Sequence, residues 1–261
     1  MKKRISFITF MLLNLMLLLV YENVNAQNQI NPFEELADFY TGQDKKLPES
    51  FQHLSTLEVK TSITKDIKEG IRIHFPASVS TVIDTNVIGI YGPRSPVRRL
   101  IVTKININDD NYYTIDFSQG ASVDPEFIIN RNIDGKAVFI DKFFAIEIIV
   151  PGDGFLYISG HTNTMYNKRR KFRIKDGKFI EVQQPYYHVG LETINTEHIT
   201  LYSDTLYTEK VSDIPAKSKI TVLINKGDYY LIKSPIGLTG WIKIPRWSWK
   251  SPIKFLFFRG D

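Results

Sequence analysis

From Leu57 onward, apolar and polar residues alternate in short runs that read as strands. Val87–Tyr91, Leu100–Ile107, Tyr112–Phe117, Ala137–Ile140, Ala145–Val150 and Phe155–Ser159 are rich in β-branched and aromatic residues. Between them lies turn material such as Asp109-Asp110-Asn111, Asp134-Gly135 and Pro151-Gly152-Asp153-Gly154. The clearest hairpin is KFRIKDGKFIEV, in which Phe172 and Ile174 alternate with Arg173 and Lys175 before Asp176-Gly177, the dipeptide of a type I′ turn. Such alternation gives each strand one buried and one wet face, so antiparallel pairing is expected rather than a parallel sheet with helical crossovers. Only the start reads as helix: Asn31 is an N-cap, Pro32 takes the first helical position, and PFEELADFY ends near Gly42. No repeat recurs at a fixed period, which removes solenoids and propellers.

Before that helix the pattern changes. Lys2-Lys3-Arg4 precede the uncharged run Ile5–Val20, and Val24-Asn25-Ala26 offers a cleavage site before Gln27. This is the layout of a secretory signal peptide over residues 1–26, with an uncleaved membrane anchor as the alternative. The expected location is periplasmic or extracellular. Removing Lys2, Lys3, Arg4 and Glu22 with the signal lowers the formal net charge from +5 to +3. That leaves too weak a basic excess for nucleic acid, whose binders concentrate charge on one face.

Composition narrows the classes further. With 43% apolar residues and 13% aromatics the chain can bury a core, and disorder is excluded. The absence of cysteine removes disulfide scaffolds, thiol nucleophiles, Cys-based metal sites and N-terminal lipid attachment. Exported yet free of cysteine, the chain is expected to be a bacterial envelope protein that relies on its core.

The segment after Pro185 is patterned differently, and a boundary is expected between Pro185 and Thr196. ITLYSDT at residues 199–205 is followed by a loop over 208–215, then KSKITVLINKG, DYYLIKS and GLTGWIKI. Ile220, Val222 and Ile224 alternate, Lys226-Gly227-Asp228 and Pro235-Ile236-Gly237 turn the chain, and Gly240 allows a tight approach before Trp241. Residues His198 to Ile244 resemble a bacterial Src-homology-3-like (SH3b) domain, most specifically in Gly237-x-x-Gly240-Trp241 after the aromatic strand Tyr229-Tyr230-Leu231. Many such domains carry Arg-x-Gly-Pro after the first strand. Here Tyr202-Ser203-Asp204-Thr205 stands in that place. The resemblance implies a binding surface of aromatic loop residues, which map onto Tyr202, Tyr207, Tyr229 and Trp241. Packing is the competing role for each, and Trp241 in particular is expected in the core.

Catalytic motifs are mostly missing: there is no G-x-S-x-G, H-E-x-x-H, phosphate loop or dinucleotide glycine pattern. Two S-x-x-K matches, at Ser62–Lys65 and Ser251–Lys254, lack the accompanying motifs and are background. His53, His74, His161, His188 and His198 are scattered, so no metal site is expected, and Asn106–Asn111 lacks the glycine and distal Glu of a calcium loop. No cofactor is expected either. Asp141, Glu147, Asp153 and His161 are the raw material for acid–base chemistry, with a solvated face as the alternative. The basic run Lys168–Lys175 reads as a solvated hairpin strand, or as a site for anionic glycan or lipid. The C-terminal Trp247, Trp249, Phe255 and Phe257 are expected to fold over the small barrel or an interdomain interface, and the closing Arg-Gly-Asp is a coincidence.

The expected fold is all-β: an antiparallel β domain over 27–190, sandwich or barrel, with one short N-terminal helix, then a small SH3-like β-barrel with an aromatic tail over 195–261. The expected function is that of an exported, non-catalytic envelope protein whose SH3-like module binds a peptide or a cell-wall component such as peptidoglycan, without nucleic acid or a membrane span after cleavage. Two alternatives stand beside it. One is an envelope hydrolase using Asp141, Glu147 and His161, and the other a structural protein whose barrel packs permanently on the first domain.

Overall fold

The computed structural model describes residues 47–59, 71–83, 87–91, 95–120 and 124–258, so the signal peptide and the helix expected near residues 31–42 lie outside the described residues. What is described is nearly all β, in three sheets. The first sheet orders β1 (Ser55–Val59), β2 (Ile71–Phe75), β9 (Glu147–Ile149), β10 (Phe155–Gly160), β11 (Lys168–Lys175) and β12 (Lys178–Glu181). The second contains β3 (Thr81–Val82), β4 (Val87–Tyr91), β5 (Ser95–Thr103), β6 (Tyr113–Ser118), β7 (Glu126–Ile133) and β8 (Lys136–Phe144).

These two sheets share one buried cluster, so they pack as a sandwich. Ile73, Ile148, Leu156 and Phe172 enter it from the first sheet, and Ile101, Ile115, Phe127 and Ile129 from the second. The ring of Phe143 on β8 lies 4.7 Å from Phe172 and 5.5 Å from Phe179, binding the two layers. The β11–β12 hairpin turns at Asp176-Gly177 with φ of +52° and +72°, the left-handed pair that a type I′ turn needs. One pairing departs from the antiparallel expectation: β2 and β9 run parallel, Ile73 opposite Ile148. Parallel neighbours need a long crossover. Here the whole second sheet supplies it in place of a helix. Strand β7 has no counterpart in the sequence reading, because Asn130-Arg131-Asn132 interrupts its apolar run.

The third sheet orders β13 (Tyr187–Ile194), β16 (Lys219–Lys226), β17 (Tyr229–Lys233), β18 (Thr239–Lys243), β14 (Ile199–Tyr202) and β15 (Lys210–Ile214). It closes on a second buried cluster that includes Leu201, Val222, Tyr230 and Ile232. Most of the stretch expected to hold the boundary, Pro185 to Thr196, is strand β13, paired to β16 with Thr193 opposite Ile220. Gly240 is glycine for a steric reason: a Cβ there would stand 2.8 Å from Leu201 Cβ and 2.9 Å from the Tyr202 carbonyl oxygen. Asn195, fully buried, locks the corner after β13. Its amide donates to the carbonyls of Glu197 (2.8 Å) and Pro215 (2.7 Å), and its oxygen accepts from Ser218 N–H (2.8 Å).

The sandwich and the third sheet meet through the β10–β11 loop. Met165 and Tyr166 from that loop belong to the second cluster, and Tyr166 donates its hydroxyl to Asn225 Oδ1 at 3.3 Å. His161 of the same loop bonds the Phe257 carbonyl oxygen at 3.1 Å. The tail is therefore anchored, in part as expected: the Phe257 ring lies 5.6 Å from that of His161 and Ile253, Leu256 and Phe258 are buried, whereas Trp247 and Trp249, expected to fold over with it, are 62% and 65% exposed. The two tryptophans lean edge-on against Phe258 at 4.8 and 5.3 Å.

Candidate functional site

Alternation along β17 divides its side chains cleanly. Tyr230 and Ile232 go into the core, leaving Tyr229 and Leu231 on the outward face. Residues directly opposite across a ladder share a face, so the register extends that face strand by strand. His188 stands opposite Ile224, Ile224 opposite Leu231, Leu231 opposite Trp241, and Trp241 opposite Tyr202. The next row places Lys226 opposite Tyr229 and Tyr229 opposite Lys243.

The four aromatic residues singled out from the sequence thus stand together on the outward face. Tyr202 and Tyr207 have ring centroids 4.4 Å apart, Tyr207 and Tyr229 6.3 Å, and Tyr186 approaches Trp241 at 6.5 Å. Tyr202, Tyr229 and Trp241 are half-buried and Tyr207 is 39% exposed. Trp241 is not in the core, contrary to the expectation for it. Its strand sends Gly240 and Ile242 inward instead, because β14 crosses too closely for a larger residue at position 240. Lys243 lies 5.8 Å from the Tyr229 ring and Lys226 5.7 Å from that of Tyr186, giving the face a cationic rim.

The loop between β14 and β15 holds Tyr207 in position. Tyr207 has φ +62°, unusual for a bulky residue, and Asp204 fixes the conformation around it. The Asp204 carboxylate accepts from the backbone N–H groups of Leu206 (2.9 Å) and Thr208 (3.1 Å) and from the Thr208 hydroxyl (2.6 Å). Those bonds, the Thr208 hydroxyl foremost, hold the Asp204 carboxyl below the usual carboxylate range. Asp204 is the residue that sequence reasoning missed. Its signal was the Asp-Thr-Leu-Tyr-Thr spacing in place of Arg-x-Gly-Pro, a side-chain-capped turn.

The acid–base set is not brought together. Glu147 is tied at Oε1 to Arg72 (3.2 Å) and to His74 Nε2–H (3.0 Å), and the Thr56 hydroxyl meets His74 Nδ1 at 2.8 Å. Asp141 accepts the N–H of Lys142, Asp153 accepts that of Phe155, and His161 is buried beside the tail with its pKa lowered by burial to about 4. A cleft of about 620 Å³ on the first sheet is lined by Glu147 but by none of the other three. Among the described residues no three His, Asp or Glu side chains gather as metal ligands. The Asn106–Asn111 stretch makes side-chain turns, Asn106 Oδ1 accepting from Asn108 N–H and Asp109 Oδ1 from Asn111 N–H.

The basic strand is less solvated than expected. Lys168, Arg169, Arg170 and Lys171 are all half-buried, Lys168 packing 3.7 Å over the Tyr187 ring and Lys171 3.7 Å over Phe155. Among the described residues no helix is long and apolar enough to cross a membrane. The chain matches no protein-family model, no curated protein and no solved structure.

Proposed function

We propose that this is an exported, non-catalytic envelope protein whose C-terminal sheet is an SH3-like module that binds a peptide or a cell-wall component. The observation that carries the reading is the face built from Tyr202, Tyr207, Tyr229 and Trp241, four rings on one surface with the core packed behind them. Flat rings with polar tips suit the ring faces of a peptide or a glycan, because they offer contact area at little entropic cost. Lys226 and Lys243 add a preference for ligands carrying negative charge. Export rests on the basic, apolar and small-residue order of residues 1–26.

The test is retention of the chain from Gln27 to Asp261 on purified peptidoglycan, compared with its Trp241→Ala variant at matched thermal stability. Retention lost with Trp241 supports wall binding through this face. Equal retention of both proteins, or none of either, removes peptidoglycan as its ligand and leaves the peptide arm to be tested against a peptide library.

A further inference from the structure

The cleft on the first sheet has no part in the reading above. Its floor is two cross-strand rows on the outward side of β9, β10 and β11: Glu147–Ser159–Arg169 and Ile149–Tyr157–Lys171. Leu47, Pro48 and Phe51 line it from the segment before β1, and Val182 and Gln184 from the chain just after β12. The Phe51 ring tilts against Tyr157 with centroids 5.2 Å apart, which walls the floor with an aromatic corner. Its volume of about 620 Å³ falls within the span of small-ligand pockets, roughly 300–1,000 Å³.

The two rows differ in chemistry. In the first, the polar side chains are already engaged within the protein: Glu147 Oε1 meets Arg72 and His74, the Ser159 hydroxyl donates to Asn167 Oδ1 at 2.8 Å, and Arg169 donates to His188 Nδ1 at 2.7 Å. A sugar or an amide would have to displace those bonds, at the cost of the partners left behind. The second row is apolar up to its last residue. Ile149 and Tyr157 lead to the aliphatic stem of Lys171, with Leu47, Pro48 and Phe51 beside them. The Lys171 ammonium leaves the row toward Phe155, 3.7 Å from that ring and 5.0 Å from Tyr157, on the side away from Glu147. A stem on apolar surface with its charge turned out is the usual behaviour of a lysine on a hydrophobic floor. Among the described residues this ammonium has no carboxylate partner.

We propose that this cleft is a second ligand site, for a medium-chain fatty acid: an unbranched hydrocarbon tail ending in one carboxylate. The tail lies on Ile149 and Tyr157 against Phe51, Leu47 and Pro48, and the carboxylate meets the Lys171 ammonium at the Phe155 end. The ligand's only polar group thus falls on the one floor cation that no carboxylate compensates, and its hydrocarbon falls where the lining asks for no hydrogen bond. A short anion would leave the apolar row uncovered, and an uncharged tail would forgo the contact with Lys171. The site depends neither on export nor on the aromatic face of the third sheet.

The experiment is NMR titration of the chain from Gln27 to Asp261 with octanoate, butanoate and 1-octanol, each below the concentration at which it aggregates. Saturable shifts at Ile149, Tyr157 and Lys171 are expected with octanoate, and affinity falls about fourfold for each buried methylene removed toward butanoate. Octanol binds about tenfold more weakly than octanoate, and octanoate loses about the same factor in Lys171→Gln, as for one charge-assisted contact. Ile149→Asp places a charge under the tail and abolishes binding, Phe51→Ala weakens it severalfold should Ile149→Asp fail to fold, and Trp241→Ala leaves it unchanged. Equal binding of butanoate and octanoate overturns the proposal, as does equal binding of octanol and octanoate. So do full affinity in Lys171→Gln or in both Ile149→Asp and Phe51→Ala, or no saturable shift with octanoate. Contacts in the ligand-free chain between Tyr157 and side chains of residues 27–46 would give the cleft to the chain's own start and likewise overturn it.

Discussion

Tyr202 on β14 and Trp241 on β18 stand directly opposite one another across an antiparallel pair, which puts both rings on the outward face of the third sheet. The pairing is close because residue 240 has no side chain, so the same glycine that brings β14 onto β18 also turns Trp241 outward. Trp241→Ala is expected to cost about 1 kcal/mol or less of stability, since the ring is half-buried and its ring neighbour Tyr186 is itself exposed, while abolishing ligand retention. Urea unfolding and a binding assay on the same sample check both halves.

Gly240→Ala should act in the opposite way. A methyl group at position 240 meets Leu201 Cβ and the Tyr202 carbonyl well inside contact distance, neither of which yields cheaply. The expected loss is about 1–3 kcal/mol, as for overpacking of a tight core, with Tyr202 and Trp241 displaced from each other. Denaturation midpoints compared with those of Trp241→Ala separate a fold effect from a surface effect.

Asp204→Ala should release the β14–β15 loop without unfolding the sheet. Its carboxylate gathers two N–H groups and the Thr208 hydroxyl around Tyr207. Because its pKa is depressed, the order it supplies is present above the ordinary carboxylate range and lost as pH falls through the lowered value. Faster amide exchange at Leu206 and Thr208, with the melting temperature held, is the expected result.

His161 gives the chain a pH dependence of its own. Burial lowers its pKa to about 4, against an unfolded value near 6.5, so the folded chain binds fewer protons in that window. Stability is highest above about pH 6.5 and falls as pH drops toward 4, by up to about 1.4 kcal/mol per pH unit from this group. His161→Gln should flatten that slope in urea unfolding curves collected between pH 7 and pH 4.5.

Asn195 is the most exacting polar position. Removing its amide strands the carbonyls of Glu197 and Pro215 and the N–H of Ser218 in a fully buried corner. Asn195→Leu is expected to lose about 2–4 kcal/mol, from several buried groups left unpaired at once. Calorimetry on the whole chain measures it.

Strands were legible wherever alternation and turn chemistry agreed, as in the hairpin around Asp176-Gly177. They were not where polar residues sit inside a ladder: Asn130 in β7 donates to Asp116 Oδ2 at 3.0 Å, a cross-strand bond no local pattern reveals. The stretch from Pro185 to Thr196 read as a domain boundary and not as a strand, and within it the ladder of β13 is broken by a bulge between His188 and Leu191. The aromatic face was visible as residue types but not as a surface, since which way Trp241 points depends on Leu201, some forty positions earlier. Arg169 and Lys171 were seen only as a charge run. Their place in the lining of the cleft depends on β9 and β10 lying beside β11, a tertiary fact.

The central claim is that the ring face of the third sheet binds ligand. The most direct measurement is the indole N–H resonance of Trp241, followed with the side-chain signals of Tyr202 and Tyr229, as soluble peptidoglycan fragments or bound peptides selected from a library are titrated into the chain. Saturable shifts that center on these three residues and vanish in Tyr202→Ala are the predicted result. Shifts confined to other surfaces, with Trp241 silent at ligand saturation, would contradict it.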